Sequence, residues 1–169
     1  MLDRIRGHAR ATTLLATVFD FDIARLDPVE EVHLASGGKV QLIAGEASGG
    51  TFFTCDGGPV LYASSEGTAG IIATDVDAAI RLVIRVPTWH DVVACAPDPD
   101  AMRGAFEASY AELQEEEPEI GQLGFEVAAE LGLGEVDVEE VLASLGRCLT
   151  ELSPNYVLLN ENGDEYDAL

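Results

Sequence analysis

The pairing of an imidazole with a carboxylate, which general acid–base chemistry uses, occurs in the sequence at His90-Asp91, directly after Trp89. Consecutive residues of a helix point about 100° apart, so adjacency alone does not give a hydrogen-bonded dyad. His8 and His33 have no second ligand at the HxH, HxxxH or HxxE spacing of metal sites. We therefore interpret Trp89-His90-Asp91 as a structural cluster at a helix start, with catalysis by His90 as the alternative, and expect no metal site.

Glycine-rich segments at 45–50 and 57–58 could be taken for phosphate-binding loops. Neither has the terminal Lys-Ser/Thr of a P-loop or the GxGxxG spacing that opens a helix, and the carboxylate of Glu46 would repel a phosphate. The segment 64–67 lacks the flanking glycine of a GxSxG elbow, so no hydrolase nucleophile is indicated. These glycines instead predict tight turns between strands.

The remaining candidates for a cofactor or metal site are the cysteines and one acidic turn. Cys55, Cys95 and Cys148 form no CxxC pair, and their number is odd, so neither a zinc or redox motif nor a disulfide framework is supported. The segment 160–165 is rich in Asp, Asn and Glu but lacks the DxDxDG spacing of a calcium loop. We expect no cofactor and interpret 160–165 as a turn.

The charge of the chain limits its possible partners. The sequence has 31 Asp and Glu against 9 Lys and Arg, a net charge of −22 over 169 residues. Its apolar fraction of 47% is ordinary for a folded protein, so the acidity lies on a folded surface. So few cations exclude binding to nucleic-acid phosphates and to anionic membranes. A basic protein, a cation or no charged partner remain compatible, and halophilic adaptation would also give such a surface.

The acidic residues concentrate in the segment 98–140, which holds 14 acids and the single base Arg103. Glutamates at a helix C-terminus oppose the helix dipole by a few tenths of a kcal/mol each, about what a repelling charge pair costs. Two interpretations stay open: a solvated helix end, or a surface that attracts a basic partner and speeds its association by about 10- to 1,000-fold. The candidate partner-binding residues are Glu107, Glu112, Glu115, Glu116, Glu117 and Glu119.

The hydrophobic pattern predicts which elements position these residues. An amphipathic helix is predicted at 2–18, and four short β-rich runs joined by glycine turns indicate an antiparallel meander. Asp56-Gly57 between two of these runs is a strong hairpin signal. The four predicted strands cover residues 40–44, 51–55, 59–63 and 70–73.

Helical periodicity follows the meander. A cap at Thr74 or Asp75 and another at Asp98 or Asp100 predict two amphipathic helices, with a short helix at Trp89 between them. Two more helices near 121–131 and 138–152 and a strand at 156–159 complete the prediction. We expect one domain over 1–169, with a sheet-rich centre at 39–97 and an acidic helical part at 98–152.

No segment has the length of a membrane span, and the apolar run at 14–19 is too short for a secretory signal. The sequence therefore predicts a soluble cytoplasmic protein.

The order and spacing of five short strings between residues 39 and 91 resemble those of the SMI1/KNR4-like (SUKH) superfamily in its actinobacterial form. They are Gly49-Gly50-Thr51-Phe52-Phe53, Gly58-Pro59-Val60-Leu61-Tyr62, Ser65-Glu66-Gly67, Gly70-Ile71-Ile72-Ala73 and Trp89-His90-Asp91. The resemblance implies an α+β fold in which a twisted, mainly antiparallel sheet packs against helices. It also implies a protein that is not an enzyme.

The same resemblance implies roles for residues. Aromatic residues of the strings, Phe52, Phe53, Tyr62 and Trp89, would belong to the core, and Glu66 lies within a turn string. Four glycines of the strings would shape turns: Gly50, Gly58, Gly67 and Gly70.

Bacterial members of the superfamily are mostly immunity proteins, which bind and neutralise polymorphic toxins, often nucleases. We therefore expect a non-enzymatic protein-binding module whose partner is a basic toxin domain. An intracellular scaffold or adaptor for another cellular protein is the alternative, and an enzyme with an unrecognised carboxylate site is a third.

Overall fold

The computed structural model describes residues 1–28, 30–135 and 137–169, and its central element is a five-stranded sheet. The strand order is β2-β3-β4-β5-β7, in which β2 to β5 pair antiparallel and β7 joins β5 in parallel. A separate antiparallel pair is formed by β1 and β6. The strands are β1 (His33–Leu34), β2 (Val40–Gly45), β3 (Thr51–Cys55), β4 (Val60–Ala63), β5 (Thr68–Ala73), β6 (Leu158–Leu159) and β7 (Asp167–Ala168). The predicted α+β class and antiparallel meander are confirmed.

The predicted hairpin between β3 and β4 turns at Asp56-Gly57. Both residues have positive φ, 50° and 76°, as a type I′ turn requires, and the Gly58 N–H donates to the Cys55 carbonyl at 3.0 Å. The carbonyl of Lys39 accepts from the N–H of Asp56, which joins the hairpin to β2. The turn chemistry therefore sets the register of the sheet's centre.

Two helices begin at a carboxylate from each pair of predicted cap residues. Asp75 accepts from the N–H of Ala78, and Asp98 accepts from the N–H groups of Asp100 and Ala101. In the described residues no helix is both long and apolar enough to cross a bilayer. The helices are α1 (Leu2–Gly7), α2 (Ala9–Thr17), α3 (Val76–Arg85), α4 (Trp89–Val93), α5 (Pro99–Glu116), α6 (Ile120–Glu130) and α7 (Val138–Arg147), which continues as a π-helix at Cys148–Leu152.

The prediction of one continuous helix over 2–18 is wrong, because the chain breaks at His8. This residue has φ −123° and ψ 90°, follows the poor helix former Gly7, and bonds through Nδ1 to the carbonyl of Arg4 at 2.8 Å. The break turns α2 away from α1, and both helices bury residues in the same core, Ile5 from α1 and Leu15 from α2.

Alternate residues of the central strands enter two hydrophobic clusters, one on each face of the sheet. On one face Phe52 and Tyr62 pack with residues of the helices, from α1 to α7. On the other face Phe53 and Leu61 pack with the C-terminal segment and with Leu34 of β1. Because a strand's side chains alternate between faces, one short meander supplies both clusters.

Candidate functional site

A buried carboxylate lies where the chain leaves β2. Glu46 is 2% exposed, and its carboxylate accepts hydrogen bonds from the Tyr62 hydroxyl at 2.8 Å, the Ser48 hydroxyl at 3.1 Å and the His90 Nε2 at 2.8 Å. A buried carboxylate needs such donors because it has given up its hydration. We call Glu46, Ser48, Tyr62 and His90 the Glu46 network.

The turn between β2 and β3 positions Glu46 beside Tyr62 of β4. The Glu46 N–H donates to the Gly50 carbonyl at 2.8 Å, and Gly49 takes φ 97° to close the turn. Gly50 is not itself in a left-handed conformation. A Cβ at this position would overlap the Tyr62 hydroxyl and a carboxylate oxygen of Glu46, so the network requires glycine here.

Gly50→Ala tests this packing directly. We expect the substitution to lower the free energy of unfolding by about 1–3 kcal/mol, because the added methyl group displaces Tyr62 or Glu46 from its partners. Urea unfolding followed by tryptophan fluorescence measures the change. Gly104→Ala is the matched control, since open space surrounds a Cβ at that helical position; an equal loss of stability in both variants would contradict the close approach.

His90 is held on three sides. Its ring stacks on Trp89 with centroids 3.7 Å apart, meets the Tyr62 ring at 5.1 Å, and bonds Glu46 through Nε2, while 44% of its side chain stays exposed. The carboxylate that orients the imidazole is therefore Glu46, 44 residues away in sequence, and not the adjacent, exposed Asp91.

The sequence did not reveal this pairing, because Glu46 stands in a glycine-rich segment where its charge indicated only repulsion of a phosphate. The available signal was an acidic residue between apolar strands in a glycine-rich turn.

An open cavity of about 240 Å³ adjoins the Glu46 network and is lined in part by Asp20, Ser64 and Glu66. The Ser64 hydroxyl accepts from the N–H groups of Glu66 and Thr68 and so stabilises a turn, and within the described residues no hydrogen bond joins it to His90. In the described part of the chain no three His, Cys, Asp or Glu residues are grouped as metal ligands. The chemistry shown by this site is the orientation of one imidazole and the attachment of α4 to the β2–β3 turn.

Two tyrosines that donate to carboxylates should make the free energy of unfolding depend on pH in the alkaline range. Burial, and then the hydrogen bond to Glu46, raise the pKa of Tyr62 well above its usual range; burial and Glu30 do the same for Tyr166, whose hydroxyl donates to Glu30 at 2.5 Å.

The folded state keeps these protons while the unfolded state loses them near pH 10, so stability is full below that pH and falls above it. We expect the free energy of unfolding to decline by up to about 1.4 kcal/mol per pH unit for each tyrosine above pH ~10. Urea titrations from pH 8 to 11 measure the slope. Tyr62→Phe should show a shallower decline, and an identical slope in that variant would contradict the assignment.

The candidate glutamates lie elsewhere, on α5 and on the link to α6. All six side chains are exposed, and none forms an ion pair within the described residues. We call Glu107, Glu112, Glu115, Glu116, Glu117 and Glu119 the acidic surface.

The helix termini explain part of this arrangement. Glu117 is the C-cap of α5 and faces an unfavourable dipole, whereas Glu119 occupies the N-cap position of α6, where a negative charge is favoured. The opposite side of α5 packs inward through Met102, with Phe106 and Tyr110 stacked at 5.1 Å. The glutamates are thus carried by a helix that is fixed against the core.

The structure brings together three of the four aromatic residues of the five strings, whereas Phe53 packs in the cluster on the other face of the sheet. Phe52, Tyr62 and Trp89 are buried and in mutual ring contact at 4.9 to 6.4 Å. Two of the four glycines lie in turns, as the resemblance implies, and Gly70 does not. Gly67 (φ 90°) and Gly58 lie in turns, whereas Gly70 lies inside β5 and makes room for Leu149 and Ser153.

Glu66 lies in the turn between β4 and β5, on the rim of the cavity beside the Glu46 network. The five strings and the acidic surface therefore occupy different parts of the molecule.

Comparison of the chain with protein-family models, with curated proteins and with solved structures gives no match in any of the three. The resemblance to the SUKH superfamily accordingly stays a prediction that rests on the five strings. The structure establishes an α+β protein in which the buried Glu46 and Tyr62 bond to each other and Glu46 bonds to the partly exposed His90, and whose acidic surface is exposed and forms no ion pair in the described residues.

Proposed function

We propose that this protein is a non-enzymatic, cytoplasmic binding module that presents the acidic surface to a basic protein. Within that class, the resemblance to the SUKH superfamily favours an immunity protein that neutralises a toxin domain, with a basic nuclease as the partner. The observation that carries the proposal is the group of exposed glutamates that form no ion pair in the described residues.

Unpaired carboxylates on a fixed helix suit this task. Side chains that are already engaged in ion pairs would have to exchange partners on binding, whereas these six are free to pair with Lys and Arg. A nuclease cleft is basic because it binds phosphates, so carboxylates can occupy the positions of substrate phosphates.

The Glu46 network has a supporting role in this proposal. Its hydrogen bonds tie α4 to the sheet, and α4 in turn packs against α5. The Thr88 and Ser109 hydroxyls, 2.8 Å apart, add a direct link from the start of α4 to α5. The network therefore helps to keep the acidic surface in one orientation before the partner arrives, which reduces the entropy lost on binding.

Co-expression with the toxin domain encoded in the neighbouring reading frame tests the proposal. We expect growth to be restored and the two proteins to elute together in gel filtration. Continued toxicity with no complex would overturn the immunity function. A complex with a non-toxic cellular protein, at the same surface, would instead assign the scaffold or adaptor function.

A further inference from the structure

A groove with a volume of about 350 Å³ lies beside β5, on the side of this strand that pairs with β7. Residues of two segments, 153–158 and 165–168, form its walls, and Ala69 of β5 and Leu149 complete the lining. The volume falls within the range of pockets that hold a ligand, about 300–1,000 Å³. We call this space the β5 groove.

The hydrogen bonds of β5 explain why the groove is open. The Leu169 N–H donates to the Ala69 carbonyl at 3.3 Å, and the pairing of β7 with β5 ends there. Two residues further along β5, the Ile71 N–H donates to the Ser153 hydroxyl at 2.7 Å and not to a strand. Both walls are therefore bonded to the same strand, with a gap between them. A groove that is formed before binding reduces the entropy lost when a ligand arrives.

Each wall carries one tyrosine whose position is fixed by hydrogen bonds. The Tyr166 hydroxyl donates to Glu30, and its N–H donates to the Leu158 carbonyl at 3.0 Å. The Tyr156 N–H donates to the Ser153 carbonyl at 2.9 Å. Both tyrosines are partly buried against the apolar cluster on this face of the sheet, and both line the groove. A tyrosine ring is a favourable platform for a planar guanidinium group.

The charged residues of the groove have one sign. They are Glu165 and Asp167, and no Lys, Arg or His among the described residues lines the groove with them. Both acids are exposed, and neither forms an ion pair within the part of the chain that the structure describes. Two free carboxylates beside tyrosine rings and apolar side chains are complementary to a cationic side chain with an apolar neighbour.

We propose that the β5 groove binds a protein segment in which an arginine stands next to an apolar residue. The guanidinium group donates to the carboxylates of Glu165 and Asp167 and stacks on a tyrosine ring, while the apolar neighbour packs against Leu149 and Ala69. Arginine suits this site better than lysine, because its planar fork donates in two directions and stacks at the same time. The β5 groove shares no residue with the acidic surface, so it is a second, separate binding site.

Nuclear magnetic resonance on the ¹⁵N-labelled protein tests the proposal with the peptide acetyl-Leu-Arg-Leu-amide at physiological salt. We expect saturable shifts of the backbone amides in the segments 156–158 and 165–168. The control peptide has citrulline in place of arginine, which keeps the shape of the side chain and removes its charge. This peptide should leave the same signals unchanged.

The variant Glu165→Gln/Asp167→Asn should bind the arginine peptide about tenfold more weakly or worse, as expected when charge-assisted hydrogen bonds are lost. Because β7 pairs with β5 through backbone atoms, this variant should remain folded. Glu161→Gln/Asp164→Asn is the matched control, since it removes the same charge from nearby exposed residues that do not line the groove. It should bind as the wild type does.

Four results would overturn the proposal. They are the absence of shifts at 156–158 and 165–168 in the wild type, equal shifts with the citrulline peptide, equal weakening in the two variants, and shifts across 107–119 as large as those at the groove. The last result would mean that the peptide responds to the net charge of −22 and not to the groove. Failure here leaves the proposed function of the acidic surface untouched, because the two sites share no residue.

Discussion

Replacing all six residues of the acidic surface by glutamine is expected to slow association with the basic partner by about 10- to 1,000-fold at low salt. The substitution keeps the shape of each side chain and removes only its charge, so dissociation should change less than association. The six glutamates are exposed, and the helix should therefore remain folded. Stopped-flow binding at several salt concentrations measures the effect, which should shrink as salt screens the charges.

A second variant with the same net charge separates local attraction from total charge. It replaces six exposed acids outside the acidic surface: Glu31, Asp77, Glu151, Glu161, Asp164 and Glu165. We expect this variant to keep most of the wild-type association rate. If both variants slow binding equally, the acidic surface has no special role and the net charge of −22 alone attracts the partner.

Phe52→Ala is expected to lower the free energy of unfolding by about 3–5 kcal/mol, the range for removing a buried aromatic ring. The Phe52 side chain is fully buried and lies 4.8 Å from the ring of Phe21, 5.2 Å from that of Tyr62 and 6.4 Å from that of Trp89. Its loss leaves a cavity at the point where the sheet meets α4. Urea unfolding followed by circular dichroism measures the change.

Phe125→Ala is the control for that measurement, since this phenylalanine is half exposed on α6. A loss below about 1 kcal/mol is expected for it, because an exposed ring buries little area. Equal losses in the two variants would contradict the placement of Phe52 at the centre of the core.

Local signals in the sequence predicted most of the elements. The hairpin at Asp56-Gly57, the caps at Asp75 and Asp98 and the short helix at Trp89 depend on neighbouring residues, and all are present in the structure. Each follows from backbone preferences or from one side-chain bond to the backbone, which the local sequence is enough to specify.

Features that depend on distant contacts were not predicted. The chain break at His8 lets two short helices bury residues in one core, and a hydrophobic pattern alone does not reveal it. The bond between Glu46 and His90 joins residues 44 positions apart, so only the packing of α4 on the sheet brings them together. The Arg85–Phe125 contact likewise needs α3 beside α6.

The exposure of the acidic surface was predictable from its charge, but its rigidity was not. That property comes from Phe106 and Tyr110 packed against the core and from the bond between Ser109 and Thr88. A glutamate run on a loose helix end would attract a partner without orienting it. The fixed helix therefore suits the binding function that we propose for this surface.

Hydrogen exchange of the complex between this protein and the proposed basic partner tests the central claim most directly. If the acidic surface is the interface, backbone amides from residue 107 to residue 121 should exchange more slowly in the complex than in the free protein. The amides of the β2–β3 turn at 46–50 should be unchanged. Slower exchange confined to that turn and to α4, with no change across 107–121, would contradict the account and move the functional site to the Glu46 network.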